Sequence, residues 1–266
     1  MSAASNPPPA PSRNAWLLPL LPLCFWALFH FTWPEPGLFY QINRATQLVP
    51  DIVWGFFVFL GNGWGVYAMA IPVLLLSPRI FTSGVIGGLF AGILSRILKI
   101  WLDLPRPAGV LDPKSFHIVG NPLEHLSLPS GHTLTAFSVA TAFYFAVTPA
   151  KRRPALLLFI VAMLAGLARV AVGAHWPADV FAGATVGLFS GLIGATITRK
   201  LPVSIFNLRS WLTVLFFIFG LVDIYLLNTM QMDFAQNHPF QVLGTITVAC
   251  TLSILVWRLF KPAESL

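Results

Sequence analysis

Apolar positions follow one another almost without interruption through most of the chain, in runs close to the ~20 residues that an α-helix needs to cross a hydrocarbon core. The runs are Trp16–Trp33, Val53–Leu76, Ile80–Leu102, Thr133–Val147, Ala155–Val172, Val180–Ile197, Trp211–Leu227 and Phe240–Phe260. Between them stand the breakers and polar residues of loops: Pro34, Glu35, Pro36 and Gly37 after the first, Ser77 and Pro78 after the second, Asn121 and Pro122 before the fourth. The pattern predicts eight spans in an all-α, polytopic transmembrane helix bundle with no separate soluble domain. Residues 1–14, with Pro7, Pro8, Pro9 and Pro11 among small polar residues, are expected to form a disordered cytoplasmic tail. The first run is interrupted by Pro19 and Pro22 and lacks a small-x-small cleavage site, so it is expected to stay as an uncleaved span.

Composition agrees with this picture. Of 266 residues, 56% are hydrophobic and 9% charged, against roughly 25% charged in a soluble domain, and the mean hydropathy is +0.77. A formal net charge of +7 would suggest nucleic acid in a soluble protein; here the cations sit in short segments between apolar runs, where topology and anionic lipid explain them. No nucleic-acid partner is expected. Cys24 and Cys250 fall inside apolar runs and are expected to be small buried hydrophobes, not a disulfide or metal ligands. Aromatic residues, 14% of the chain, suit interfacial belts and lipid-facing helices.

Charge sets the orientation. Eight spans sort the cations into two groups, and the larger includes the cluster Lys151-Arg152-Arg153, which places both termini and that cluster in the cytoplasm. The smaller group, Arg44, Arg96, Lys99, Arg106, Lys114 and Arg169, falls on the opposite side. Cations there run against the topological bias, and ionisable residues in or beside spans are costly, so they point to function.

Three segments on that side carry the candidate chemistry. The third run ends in Lys99-Ile-Trp-Leu-Asp-Leu-Pro-Arg106-Pro107, two cations near one membrane surface, although terminal cations also snorkel to headgroups. The fourth opens with Leu128-Pro129-Ser130-Gly131-His132-Thr133; a helix N-terminus offers unpaired amides, and Gly131 lets an anion approach them. Ser130 could equally be only an N-cap. At the junction of the fifth and sixth runs stands Arg169-Val-Ala-Val-Gly173-Ala-His175-Trp-Pro177-Ala-Asp179. With Pro177 in the first helical turn, His175 and Asp179 are four residues apart and share a face. An Asp on one imidazole nitrogen fixes the tautomer and leaves the other nitrogen to attack. A purely structural His–Asp pair is the alternative. Phosphoryl transfer is mostly positioning and charge neutralisation, which several cations around one histidine provide without a metal.

The patterns Lys-x6-Arg-Pro, Pro-Ser-Gly-His and Arg-x5-His-x3-Asp, in this order, resemble the type 2 phosphatidic acid phosphatase superfamily, which also includes vanadium haloperoxidases. The resemblance implies a six-span phosphatase core at residues 15–198 followed by two additional helices and a short tail at residues 199–266. It implies a catalytic set of His175 as nucleophile, His132 as general acid and then base, and Asp179 orienting His175. Lys99, Arg106, Ser130, Gly131 and Arg169 would bind the phosphoryl oxygens, with no metal and no cofactor. The family usually has Ser before the arginine of the third motif; here Ala168 stands there, which removes one hydroxyl.

The expected activity is metal-independent hydrolysis of a lipid phosphomonoester or diphosphate: undecaprenyl diphosphate, phosphatidylglycerol phosphate, phosphatidate or a lipid A phosphate. The expected setting is the periplasmic face of a bacterial inner membrane. Lipid-to-lipid phosphotransfer and a non-enzymatic lipid transporter are the alternatives. Outside the motifs, Arg96 is expected either to extend the cationic pocket or to pair with Asp103 or Asp51. Asp223 is expected to be a structural hydrogen-bond partner, and Lys114, His117, Glu124 and His125 a solvated loop.

Overall fold

A bilayer offers backbone polar groups no partner except one another, so each apolar run is driven into helix. In the computed structural model, which describes residues 8–32 and 35–260, twelve α-helices, several short 3-10 turns and no strand occur among the described residues. They are α1 (Leu20–Thr32), α2 (Glu35–Thr46), α3 (Asp51–Gly61), α4 (Gly63–Ala70), α5 (Val73–Leu76), α6 (Pro78–Leu102), α7 (Gly131–Ala146), α8 (Arg152–Ala155), α9 (Leu157–Ala171), α10 (Pro177–Lys200), α11 (Trp211–Thr229) and α12 (His238–Phe260). Five segments are long and apolar enough to cross a membrane, and a sixth if α3 is taken with the bent stretch Gly63–Leu76.

The eight predicted spans are thereby refined at three places. The second is not one helix: α3 and the following stretch meet at 82°. The cause is Asn62, which leaves helical geometry (φ −65°, ψ 139°) and caps α4 by accepting the Trp64 N–H at 3.0 Å. The first begins as a 3-10 turn at Arg13–Leu17, and α1 starts only beyond Pro19. Its apolar helical stretch, Arg13–Phe29, is short for a span, and Trp33 lies outside the described residues. The fourth is α7, with 16 residues. It can be short because most of its side chains are buried by α3, α6, α9 and α10, not by lipid.

Other expectations also change. Residues 1–7 of the expected tail lie outside the described residues, and Arg13 already belongs to the 3-10 turn. The first predicted loop contains α2, which buries Phe39, Asn43 and Thr46 along one face. Cys24 and Cys250 are exposed, on outward helix faces of a bundle whose surroundings are apolar.

The centre of the bundle is built by close approach. A Cβ on Gly187 or Gly191 of α10 would stand 2.5 Å from the carbonyl oxygens of Leu134 or Ser138 on α7. Only glycine lets these backbones meet, as small residues do generally between membrane helices. The approach holds the N-termini of α7 and α10 side by side. The C-terminal pair α11 and α12 packs on α3 to α6 through a shared apolar cluster that includes Phe59, Ile71, Phe81, Phe216, Val248 and Leu252.

Candidate active site

The two proline-rich ends fold onto each other before any functional side chain is placed. After α6, Asp103 turns the chain in left-handed geometry (φ 39°), and the strand-like stretch that follows pairs with the loop before α7. Arg106 N–H donates to the Glu124 carbonyl at 2.8 Å and Ser127 N–H to the Leu104 carbonyl at 2.9 Å. The loop carbonyls then hold the cations. Lys99 Nζ donates to the carbonyls of Leu126 and, at 3.2 Å, Ser127. Arg106 Nε donates to the His125 carbonyl at 2.8 Å, and one terminal nitrogen, NH1, to the Ala174 carbonyl at 3.0 Å.

His175 stands at a corner. Gly173 turns the chain after α9 with φ +73°, and a Cβ there would meet the His117 carbonyl at 2.5 Å, so this position requires glycine. Trp176 caps α10 and Pro177 opens it. Asp179 Oδ2 accepts the Trp176 N–H at 2.9 Å, lies 3.0 Å from His175 Nδ1, and accepts the Ser127 hydroxyl. On the other ring nitrogen, Arg106 NH1 lies 3.1 Å from His175 Nε2. A guanidinium is only a donor, so Nε2 accepts and the imidazole proton sits on Nδ1, facing Asp179. Burial, followed by the charges of Arg106, Arg169 and Lys99, holds His175 well below the ordinary histidine range, so the ring is neutral.

Across from it, α7 presents its N-terminus. Ser130 N–H donates to the Asp179 carbonyl at 3.0 Å, which fastens the two helix starts together. Ser130 is fully buried and its hydroxyl accepts from Thr133 at 3.0 Å. Gly131 begins the helix, whose first amides have no intrahelical acceptor. Arg169 is 3% exposed. Its Nε and NH1 have no hydrogen-bond partner among the described residues, although a carboxylate, Asp233, stands in ion-pair contact with NH1 at 3.7 Å.

All eight predicted site residues thus converge. Two cavities border this group of residues. One, of about 540 Å³, is reached past Asn121, Gln231 and Gln236 and includes Arg169 in its lining. The other, a crevice of about 300 Å³, is lined by Lys99, Gly131 and His132 together with Gly92 and Arg96. It opens beside the α6 face that exposes Leu89, Ile93 and Ile97. Arg96 therefore extends the cationic lining; Asp51 is paired instead with His117 at 2.7 Å.

Three residues of the site had not been expected. Ser127 supports Asp179. Asp233, between α11 and α12, places Oδ1 2.9 Å from His132 Nε2 and 3.7 Å from Arg169 NH1. Asn62, at the break of the second span, donates to Asp233 Oδ2 at 2.9 Å. A signal for Asp233 existed: with eight spans, the loop between the last two falls on the side of the three motifs. Asp223 does not meet expectation, since it is buried and neither carboxylate oxygen has a hydrogen-bond partner among the described residues. The loop residues His117, Glu124 and His125 serve through backbone carbonyls as well as side chains.

Comparison with known proteins agrees with this architecture. Residues 84–203 match the model of the PAP2 superfamily. The chain is 33% identical over 138 residues to the Lipid A 1-phosphatase of Rhizobium etli, covering 50% of this chain and 55% of that protein's length. It is 30% identical to the Undecaprenyl-diphosphatase of Sulfolobus acidocaldarius, covering 56% of this chain and 72% of that one. The crystal structure of Aquifex aeolicus LpxE superposes with a TM-score of 0.53 at 30% identity, covering 60% of this chain and 93% of that one. With three motifs gathered into one charged pocket, and with a relative at this identity matched over most of its length, the chain belongs to the PAP2 superfamily.

Proposed function

We propose that this protein is an integral membrane lipid phosphatase that removes phosphate from a lipid at the non-cytoplasmic face through a phosphohistidine at His175. The observation that carries the proposal is the state of His175: Nδ1 bound to Asp179 and Nε2 left as a lone pair beside Arg106. Nε2 attacks phosphorus, the bond from phosphorus to the lipid oxygen breaks, and His132 gives that oxygen its proton. Asp179 stabilises the imidazolium character of the phosphorylated ring. Water then attacks phosphorus, loses a proton to His132, and phosphate leaves as His175 is regenerated.

Lys99, Arg106, Arg169, the Ser130 hydroxyl and the Gly131 amide are the groups that neutralise and hold the phosphoryl oxygens. Three cations supply the positive charge that a metal gives in other phosphatases, so a chelator is expected to leave the rate unchanged. The distribution of Lys and Arg supports the non-cytoplasmic placement. Relatives named for lipid A and undecaprenyl diphosphate support a lipid substrate and place both at the head of a substrate panel.

The test is phosphate release by the purified protein in detergent from lipid A, undecaprenyl diphosphate, phosphatidylglycerol phosphate and phosphatidate, with His175→Ala alongside. Release that His175→Ala abolishes is expected. Label passing to a second lipid without free phosphate would make it a phosphotransferase, and no turnover of any of the four would remove the proposal.

A further inference from the structure

Asp233 is built into its place. It adopts left-handed geometry (φ 61°) in a short connection between two helices, a conformation unusual for any residue but glycine and tolerated best by Asn and Asp. The connection is tied down on both sides: Gln241 donates to the carbonyls of Leu227 and Met230, both at 2.7 Å, and accepts the Met232 N–H at 3.3 Å. Asn237 adds a bond to the Met232 carbonyl at 3.1 Å. Asn62 holds Oδ2 at 2.9 Å, and Oδ1 lies in ion-pair contact with His132 Nε2, also at 2.9 Å. Burial alone would push this carboxyl up; the charges of His132 and Arg169 and the bond from Asn62 outweigh it and keep Asp233 ionised, well below the usual carboxylate range.

The other charged groups around His132 are cationic. Arg169 comes from α9, Arg106 from the stretch after α6, and Lys99 and Arg96 line the same crevice from α6. Burial first, and then these cations, oppose a proton on the imidazole, yet a general acid must carry one. Asp233 is the carboxylate that works against them.

We infer that Asp233 is a positioning residue that acts through His132: it faces Nε2 and favours the protonated ring, so that Nδ1 is the nitrogen that serves the leaving oxygen. The inference rests on the proposed role of His132 as general acid. It makes the pair α11–α12 part of the catalytic apparatus, although that pair lies beyond the last motif.

The experiment separates help with the leaving group from simple structural support. Two amphiphilic phosphomonoesters with the same hydrocarbon chain are compared: an alkyl phosphate, whose alkoxide needs a proton, and a nitrophenyl phosphate, whose phenolate leaves without one. kcat/KM is measured because it reports the steps up to formation of the phosphoenzyme. General acid catalysis contributes about 10²- to 10⁴-fold. Asp233→Asn, which keeps shape and left-handed tolerance, is expected to lower kcat/KM for the alkyl ester by about 10- to 10²-fold and for the nitrophenyl ester by less than about 3-fold. Asn62→Ala, which frees Oδ2 without touching the carboxylate, is expected to show a smaller loss with the same selectivity. His132→Ala is the control for the underlying role and should be selective in the same way. If His132→Ala is selective and Asp233→Asn affects both esters equally, Asp233 is structural and the inference falls alone. If His132→Ala is not selective, the general acid role falls with it. A rise in both rates in Asp233→Asn would show the carboxylate to be a block on the pocket, which also overturns the inference.

Discussion

The site contains two Asp–His pairs of similar length and opposite origin. His175 and Asp179 belong to one short segment, four residues apart across the start of α10, at 3.0 Å. His132 and Asp233 come from α7 and from the connection between α11 and α12, at 2.9 Å. In the first, the aspartate holds Nδ1 and leaves Nε2; in the second, it holds Nε2 and leaves Nδ1. The local pair is formed as soon as α10 starts, because Asp179 in its first turn accepts the Trp176 N–H and so turns its carboxylate back toward the residue before the cap. The distant pair exists only after the C-terminal helices have docked on the bundle. On the proposed mechanism, the nucleophile is thus positioned by local sequence and the group that tunes the general acid is brought in by tertiary packing.

The comparison can be broken at several points. The largest effect is expected for Asp179→Asn, which takes away the proton acceptor for Nδ1 and the partner of Ser127 and Trp176. The loss in kcat/KM should approach about 10³- to 10⁴-fold, as when an orienting aspartate is neutralised in a triad, with the helical circular dichroism spectrum retained. A loss below about 10-fold would mean that the local pair is only a helix cap. Next is Gly173→Ala. A Cβ at φ +73° facing the His117 carbonyl displaces the corner that carries His175, and a misplacement near 1 Å costs about 10²-fold in rate. Wild-type kinetics in this variant would show that the corner yields.

A smaller effect, on pH dependence, follows from the cations around His175. Attack requires the neutral ring, and the ring is held well below the ordinary histidine range by burial and then by Arg106. The acid limb of kcat/KM should therefore lie below the pH where a solvated histidine titrates. Arg106→Gln removes a charge that opposes protonation, so the limb should move to higher pH, beyond any uniform drop in rate. An unmoved limb would detach Arg106 from the state of His175. The mildest effect on rate is expected from Asn43→Ala, which hydrogen-bonds backbone groups and none of the eight site residues. Asn43 Nδ2 donates to the carbonyls of His117, Val170 and Ala171 at 3.0 to 3.1 Å, and Oδ1 accepts the His117 N–H at 2.9 Å. Leaving these buried groups unpaired should destabilise the protein by about 2–4 kcal/mol, measured by thermal unfolding in detergent, with kcat/KM at low temperature changed only a few-fold.

How much could be read in the sequence follows the same division. The helical class, the segments at the ends of α6, α7, α9 and α10, and the pairing of His175 with Asp179 were all legible, since each depends on residues within one turn or on hydrophobic runs. Asn62 was hidden, because a single polar residue in an apolar run does not announce an 82° bend until its side chain is seen to cap the next helix. α2 was hidden by prolines that suggested a loop, although Phe39, Asn43 and Thr46 mark one buried face. Asp233 and Ser127 were hidden for a deeper reason: neither has a local pattern, and their partners are chosen by packing. Asp223 shows the reverse, a buried acid whose expected hydrogen bond is not found among the described residues.

The two cavities, one lined by His132 and the other by Arg169, would give the reactants of the proposed reaction different reference volumes. The crevice of about 300 Å³ opens beside lipid-facing side chains, whereas the cavity of about 540 Å³ opens among exposed polar ones. A lipid that diffuses within the leaflet and enters by the first is counted per unit area. Saturation should then follow its mole fraction in the micelle or bilayer and not its bulk molarity. Orthophosphate, if the proposed reaction releases and rebinds it through the second, is counted per unit volume, and its inhibition should be indifferent to how far the lipid is diluted with detergent.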